Sequence, residues 1–314
     1  MNQSSALDRF LASHAVGEVV RGEPLARHTS YRVGGPADYF VVPECTEGLK
    51  ELLGFCGEQG VPLFLLGEGA NVLVSDAGFR GVVISMSGGF GYVERLEGNR
   101  VRAGAGVSVR GLVRFCEERG LGGLEGLAGI PGTVGGALVM NAGAAHGEIG
   151  DRVHRVVVLD AGFTQRSFSR EEIGFSYRAA PLLRGTVVLE CVFELEEASR
   201  EELGRVRREL LARRAQRQPL KYPSCGSVFK RPPGRYAGAL VEQAGLKGMR
   251  IGGAMISEKH AGFIVNLGDA TARDIVALIR LAQVRVREKF GVELEPEVRF
   301  LGFEESPVSG GEGR

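Results

Sequence analysis

The sequence has few of the side chains that build disulfide frameworks or metal sites. Its 314 residues include only five cysteines and five histidines. The cysteines are odd in number, scattered and never spaced as CxxC, a pattern typical of a reducing cytoplasm. The histidines form no HxxxH or Cys/His cluster, so we predict no zinc or iron site.

Net charge and long apolar runs are equally scarce. The formal net charge of +1 gives no reason to expect nucleic acid or an acidic membrane surface as a partner. No apolar run approaches the length of a membrane span, and the first residues, MNQSSALDRF, lack the basic and apolar segments of a signal peptide. We therefore expect a cytoplasmic protein with no membrane or nucleic-acid partner, and the sequence carries no information on its oligomeric state.

Glycine, by contrast, is abundant. The 48 glycines are about twice the usual share. Many lie in residues 126–143, GLAGIPGTVGGALVMNAG, which contain no charged side chain. Because glycine lets backbone amides approach a bulky ligand and point at its phosphates, this stretch predicts a dinucleotide pyrophosphate site. The alternative is a surface loop of turn residues, which explains the interleaved apolar residues less well.

A second glycine turn, at residues 67–71, lies between two predicted strands in VPLFLLGEGANVLVSD. It is neither a Rossmann fingerprint nor a P-loop, because the glycine spacing differs and no helical pattern follows at once. A strand, a glycine turn and a strand are nevertheless suited to holding a phosphate.

The remaining pattern is an interleaving of short elements in a chain long enough for two or three domains. We predict a domain boundary near the helix at 199–216. Apolar periodicity, caps and turns predict helices at 1–16, 46–60, from Ser108, at 199–216, 236–248 and from Asp269 or Thr271, and strands at 39–42, 81–86, 92–106, 153–169, 186–195 and 292–302.

Eight stretches of the sequence form an ordered set of motifs. They are HTSYRVGGPAD at 28–38, LGEGANVLV at 66–74, GLAGIPGTVGGALVMNAGAAHGEI at 126–149, FSYR at 175–178, PSCGSVFKRP at 223–232, AGLKG at 244–248, SEKHAGFIVN at 257–266 and LEPEVRFLG at 294–302. Any one of them could be chance, but the ordered set is specific and covers about residues 20–303. Taken in order, these stretches closely resemble the UDP-N-acetylenolpyruvoylglucosamine reductase (MurB) family of bacterial cell-wall flavoenzymes.

The resemblance implies an α+β fold, with a two-lobed FAD-binding unit of the vanillyl-alcohol-oxidase (PCMH) type followed by an α+β substrate-binding domain. The short link after FSYR implies the type II form, which lacks a tyrosine-bearing loop. The implied divisions are an N-terminal segment at 1–27, the FAD-binding domain at 28–197 with lobes at about 28–87 and 88–197, the substrate domain at 198–303, and a polar tail at 304–314 that we expect to be disordered.

The resemblance also implies FAD as cofactor and NADPH as reductant. The turn at 67–71 has no histidine, so we expect noncovalent FAD. The implied cofactor-binding residues are Gly67, Gly69, Ala70, Asn71, Gly129, Ile130, Pro131, Gly132, Gly135, Gly136, Asn141 and Gly143.

In the family, hydride from the reduced flavin reaches the methylene carbon of an enolpyruvyl ether, and the neighbouring carbon takes a proton. The residues that match the catalytic roles are Arg178 and Glu297, which stabilise charge at the carboxylate, and Ser227, which donates the proton. Taken alone, each is more typical of a surface arginine, an exposed carboxylate or a turn serine.

The resemblance further implies a nucleotide-sugar substrate held by Tyr177, Arg217, Lys230 and Arg231. Arg231 departs from the more usual Asn, which puts one substrate contact in doubt. Glu68 and Cys225 also depart from the commoner Gly and Ala, and we expect both to be tolerated. Two other functions stay open: a flavin oxidase of the same fold acting on an alcohol or hydroxy acid, and a nucleotide-binding module without turnover.

Overall fold

The computed structural model describes residues 3–144 and 146–311. Residues 1–2 of the N-terminal segment, Ala145 of the glycine-rich motif and residues 312–314 of the tail lie outside the described residues.

The helices of the described chain are of very different lengths, from four residues to nineteen. They are α1 (Gln3–Ser13), α2 (Thr46–Gln59), α3 (Val109–Glu118), α4 (Val134–Val139), α5 (Arg170–Ile173), α6 (Arg200–Arg217), α7 (Ala237–Gln243) and α8 (Ala272–Phe290).

The strands are short and spread over the whole described chain. They are β1 (Glu18–Arg21), β2 (Ala37–Val42), β3 (Leu63–Leu66), β4 (Val72–Val74), β5 (Phe79–Ser85), β6 (Val93–Arg95), β7 (Arg100–Gly104), β8 (Leu121–Gly122), β9 (Gly143–Ala144), β10 (Gly147–Glu148), β11 (Val153–Leu159), β12 (Gln165–Ser169), β13 (Val187–Glu194), β14 (Glu196–Glu197), β15 (Arg250–Ile251), β16 (Ala254–Ile256), β17 (Ile264–Asn266) and β18 (Arg299–Leu301).

The helices with clear sequence signals form where the caps predict them. Ser108 accepts the amide hydrogen of Gly111 at the start of α3, and Thr271, rather than Asp269, caps α8 together with Asp274. Helix α2 ends at Gly60, whose φ is 64°. The apolar face predicted for α8 is buried as a whole: Ile275, Leu278, Ile279, Ala282 and Val286.

The chain forms two compact units, each built from separate stretches of sequence. The first comprises Met1–Val20, Tyr39–Gly67 and Gly81–Arg213, and the second comprises Arg21–Asp38, Glu68–Arg80 and Arg214–Arg314. The continuous boundaries predicted from the sequence differ from these units, because strand pairing joins stretches that are far apart in the chain.

The first unit is built on a five-stranded antiparallel sheet in the order β12-β11-β13-β7-β6. The hairpins predicted at 92–106 and 153–169 supply four of its strands. In a further sheet, β3 pairs parallel with β5, from Leu63 opposite Val82 to Leu66 opposite Ser85. The buried face of α2 and the valines of β11 belong to one apolar core.

The second unit contains the three-stranded sheet β15-β16-β17 and helices α7 and α8. It also contains a parallel pair, β4 with β18, in which Val72 lies opposite Arg299 and Val74 opposite Leu301. Parallel strands in register begin at the same edge. The residues just before Val72 and just before Arg299 are therefore neighbours, and this places the glycine turn beside residues 295–298.

Two sequence expectations differ from the structure in the second unit. Only residues 299–301 of the strand predicted at 292–302 are β18, because Pro296 has no amide hydrogen for a continuous ladder. The tail was expected to be disordered, yet its described part packs: Val308 is buried, and the Gln283 side chain donates to the Ser309 carbonyl at 2.7 Å. The prediction rested on the polar composition of the tail and did not consider that Val308 could anchor it in the core.

Among the described helices, none combines the length and the apolar character needed to cross a bilayer. Within the same residues, no group of three or more His, Cys, Asp or Glu side chains is arranged to hold a metal ion.

Candidate active site

The glycine-rich stretch enters α4 through a tight turn in the first unit. Thr133 caps this short helix, and its Oγ1 accepts the Gly136 amide hydrogen at 3.4 Å. A Cβ built at Gly67 would lie 2.6 Å from the same Oγ1. The two predicted phosphate-holding segments thus meet at Gly67 and Thr133, and glycine at position 67 permits the close approach.

The space over Gly132 is open. Its φ is 127°, and a Cβ built on it would meet no heavy atom within 4 Å. The preceding Pro131 is exposed, whereas Val134 and Leu138 of α4 are fully buried. One side of the stretch is therefore anchored in the core, whereas Pro131 is exposed and the position over Gly132 has room for a ligand.

Asn141, which was predicted to bind the cofactor, has its side chain committed to the protein. It is 1% exposed, and its amide donates to the Ser176 carbonyl at 2.9 Å and to Glu148 at 2.5 Å. Its Oδ1 accepts the Gly150 amide hydrogen at 3.2 Å. The Asn141 side chain therefore holds the chain at Ser176, and the predicted contact of Asn141 with the cofactor stays a prediction.

Arg178 lies at the corner of a tight turn. Ser176 and Ala179 exchange backbone hydrogen bonds of 2.9 and 3.0 Å, and Arg178 has a φ of 54°, which is uncommon for a residue with a side chain. Its guanidinium donates to the Gly143 carbonyl at 3.2 Å. Tyr177, predicted to bind substrate, is 57% exposed beside it. An uncommon backbone conformation is frequent at functional sites.

In the second unit, the rest of the first glycine turn packs on the HTSYRVGG motif. Gly69 has a φ of 57°, and a Cβ on it would lie 2.3 Å from the His28 carbonyl oxygen. The Ser30 amide hydrogen bonds to the Gly69 carbonyl at 3.1 Å. Only glycine is compatible with this position, which gives the motif at 28–35 a role in shaping the turn.

Cys225 ties the same turn to the PSCGSVFK segment. Its Sγ lies 3.6 Å from the Gly69 carbonyl oxygen and 3.4 Å from that of Val72. Burial raises the pKa of the Cys225 thiol to about 12, so the thiol stays protonated and donates to these carbonyls. It has the character of a structural cysteine rather than a nucleophile.

The segments that carry Ser227 and Glu297 are directly paired. The Glu297 amide hydrogen bonds to the Val228 carbonyl at 2.7 Å, and Phe229 forms a β-bridge with Pro296. Ser227 is exposed and Glu297 is half-buried, whereas Glu293 and Glu295 are exposed. The structure thus brings two of the three predicted catalytic residues onto adjacent segments and distinguishes Glu297 from the neighbouring carboxylates.

The predicted substrate-binding cations differ in their surroundings. The Lys230 ammonium pairs with the Glu295 carboxylate, and its amide hydrogen bonds to the Glu295 carbonyl at 2.9 Å. The Arg231 guanidinium lies 4.5 Å from the centre of the Tyr236 ring. Arg217 is exposed at the end of α6. Lys230 alone among the three is fixed to the segment that carries Glu297.

Comparisons with known proteins find family matches in the regions that contain these segments. Residues 218–301 match the family described as UDP-N-acetylenolpyruvoylglucosamine reductase, C-terminal domain, and residues 37–166 match an FAD binding domain. UDP-N-acetylenolpyruvoylglucosamine reductase 2 of Symbiobacterium thermophilum is 48% identical over 91% of this chain and 93% of its own. The chain belongs to the UDP-N-acetylenolpyruvoylglucosamine reductase family.

Two more relatives extend this likeness. The UDP-N-acetylenolpyruvoylglucosamine reductase of Lachnoclostridium phytofermentans is 45% identical over 92% of this chain and 94% of its own. A crystal structure of the reductase (MurB) from Thermus caldophilus has a TM-score of 0.77 and 40% identity, covering 90% of this chain and 98% of that one. The family membership and the α+β fold with an FAD-binding unit, both predicted from sequence, are confirmed.

The residues present are compatible with FAD. The space over Gly132 is open, and Gly67 lies close to Thr133. Residues 126–143 contain no carboxylate that would repel a pyrophosphate. Backbone amides, a hydroxyl and a short helix start are donors suited to phosphate oxygens. The sequence prediction overlooked Thr133, although a threonine just before a short apolar helical run is a recognisable cap.

Proposed function

We propose that this chain catalyses the NADPH-dependent reduction of UDP-N-acetylglucosamine enolpyruvate to UDP-N-acetylmuramate, a step of peptidoglycan precursor synthesis. Family membership supports the reaction, and the observation that carries it in the structure is the bond from the Glu297 amide to the Val228 carbonyl beside Ser227. The segments around Gly67 and Gly132 hold noncovalent FAD, and residues 198–303 supply the substrate domain.

Bound FAD supplies a hydride acceptor for NADPH and a hydride donor for the methylene carbon of the enolpyruvyl ether. The protein must then stabilise charge at the substrate carboxylate and protonate the adjacent carbon. Arg178 offers a permanent planar set of donors for the carboxylate. Glu297, in its protonated form, donates a hydrogen bond to the same developing charge, and Ser227 delivers the proton.

The substrate is a nucleotide sugar, and its anionic groups need cations. Lys230 is the best-placed candidate, because its amide hydrogen bonds to the carbonyl of Glu295, two residues before Glu297, and its ammonium pairs with the Glu295 carboxylate. Tyr177, Arg217 and Arg231 complete the proposed contacts. An ammonium already paired with a carboxylate exchanges that partner for a phosphate at modest cost when the pair is exposed.

Anaerobic spectroscopy tests the proposed function. NADPH is expected to bleach the yellow protein, and UDP-N-acetylglucosamine enolpyruvate is expected to restore the colour. A nucleotide-binding module would not be bleached. An oxidase of the same fold would be recoloured by oxygen but not by the enolpyruvyl substrate, and this outcome would refute the proposal.

We expect Gly132→Asp to deplete the purified protein of FAD, because a side chain and a negative charge enter the open space over this residue. The measurement is flavin content per protein from absorbance. Gly268→Asp is the matched control, since Gly268 has a similar φ of 135° and equally open surroundings but lies outside both glycine-rich segments. Equal flavin in the two variants would remove residues 129–132 from the cofactor site.

A further inference from the structure

The side chain of Asn71 is directed at the backbone of Glu297. Its Nδ2 donates to the Glu297 carbonyl oxygen at 2.9 Å, although 226 residues separate the two in sequence. The Asn71 backbone carbonyl accepts the Arg299 amide hydrogen at 3.0 Å. Asn71 therefore bonds to Glu297 and Arg299 at once, at the edge where β4 and β18 begin.

Glu297 is consequently held on both sides of its Cα. Its amide hydrogen bonds to the Val228 carbonyl at 2.7 Å, and its carbonyl accepts from Asn71. The amide belongs to the planar peptide before the Cα and the carbonyl to the one after it. Fixing both planes fixes the φ and ψ angles of Glu297, and with them the direction in which its side chain leaves the backbone.

Glu297 lies outside the regular strand pairing of β18, which begins only at Arg299. The Glu297 carbonyl accepts from the Asn71 side chain, which a single substitution removes without altering the main chain. The segment that carries Ser227 is fixed at the neighbouring residue, because the Val228 amide also donates to the Gly262 carbonyl at 2.9 Å. The bonds of the Glu297 backbone to Asn71 and Val228 thus fix the position of Glu297 relative to Ser227.

We propose that Asn71 is a positioning residue that aims the Glu297 carboxyl at the substrate, and that this is its main contribution to the reaction. The inference rests on the proposed function of Glu297. The predicted contact of Asn71 with the cofactor is a separate role, and flavin content is the measurement that distinguishes the two. The bond to Glu297 connects the glycine turn with the residues proposed to handle the proton and the charge.

Asn71→Ala tests the proposal through the two half-reactions, each measured by stopped flow per bound FAD. Flavin content and reduction by NADPH are expected to stay close to those of the parent, because neither needs Glu297. Reoxidation by the enolpyruvyl substrate is expected to slow at least about tenfold, within the range for a catalytic group displaced by about 1 Å. Asn71→Asp, which is nearly isosteric, is carried through the same measurements in case the Ala variant folds poorly.

A double-mutant cycle with Glu297→Gln identifies the route of the effect. If Asn71 acts through Glu297, the double variant reoxidises no more slowly than Glu297→Gln alone, because residues that act as a unit are not additive. An additive slowing in the double variant would overturn the proposal. So would a flavin loss in Asn71→Ala with parental rates per bound FAD, which would assign Asn71 to the cofactor.

Gln283→Ala is the matched control, because the Gln283 amide donates to the Leu294 carbonyl at 2.9 Å in the same segment. We expect it to lower thermal stability and leave the ratio of the two half-reactions unchanged. The parent protein separates the two hypotheses: if it is not reoxidised by the enolpyruvyl substrate, the proposed function fails. If the parent is reoxidised and Asn71→Ala is equally fast, only the role of Asn71 fails.

Discussion

Replacing Glu297 with Gln is expected to slow reoxidation of the reduced flavin by the enolpyruvyl substrate about 10²-fold. Loss of an oxyanion donor commonly costs about 10² to 10³ in rate, and the lower end applies because the Gln amide remains a weaker donor. The backbone bond from residue 297 to Val228 is kept, so the fold is retained. Reduction by NADPH should be largely intact, because Glu297 has no part in it.

The control for this variant is Glu293→Gln, the same change four residues upstream. Glu293 is exposed, and its carboxylate lies 3.8 Å from Arg287. Surface pairs of this kind contribute little to stability, so both half-reactions should match those of the parent. If Glu297→Gln also reoxidises at the parental rate, Glu297 is an ordinary half-buried carboxylate with no catalytic role.

The predictable parts of the structure are those whose signals are local. The apolar spacing and N-cap of α8, the glycine that ends α2, and the hairpin at Gly98 and Asn99 each lie within a few residues of the element that they define. The remaining site residues were predicted from the family resemblance, because no local pattern distinguishes Ser227 or Glu297 from a turn serine or an exposed carboxylate.

The unpredictable parts depend on pairs that are distant in sequence. The β4 and β18 pairing joins residues 72–74 to residues 299–301, and nothing in either short apolar run specifies the other. The bonds from Asn71 to Glu297 and from Cys225 to Gly69 follow from that pairing. The discontinuous units have the same origin.

Asn141 illustrates the same limit inside one unit. The family resemblance implies that this asparagine binds the cofactor. The structure turns it inward, where it bonds to Ser176 and Glu148 and supports the turn that carries Arg178. Sequence identifies the residue, but the direction of its side chain depends on the packing around α4.

Replacing Ser227 with Ala is expected to leave folding, flavin content and reduction by NADPH unchanged and to slow reoxidation by the substrate about 10²-fold or more, the usual range for a lost general acid. The reason is that the proposed task of Ser227 concerns one atom, the carbon protonated after hydride arrives. The hydroxyl is exposed, so its removal creates no cavity. Ser227→Cys should keep part of the activity, since a thiol also donates a proton.

The competing explanation is that Ser227 merely stabilises its own turn, and Ser257→Ala shows what such a role looks like. Ser257 is buried, and its hydroxyl accepts the amide hydrogens of Lys259 and His260 at 3.1 and 3.3 Å. Its loss should lower the melting temperature and weaken both half-reactions together. Stopped-flow traces of the two half-reactions separate the roles: if Ser227→Ala behaves like Ser257→Ala, or reoxidises at the parental rate, the proton comes from another donor.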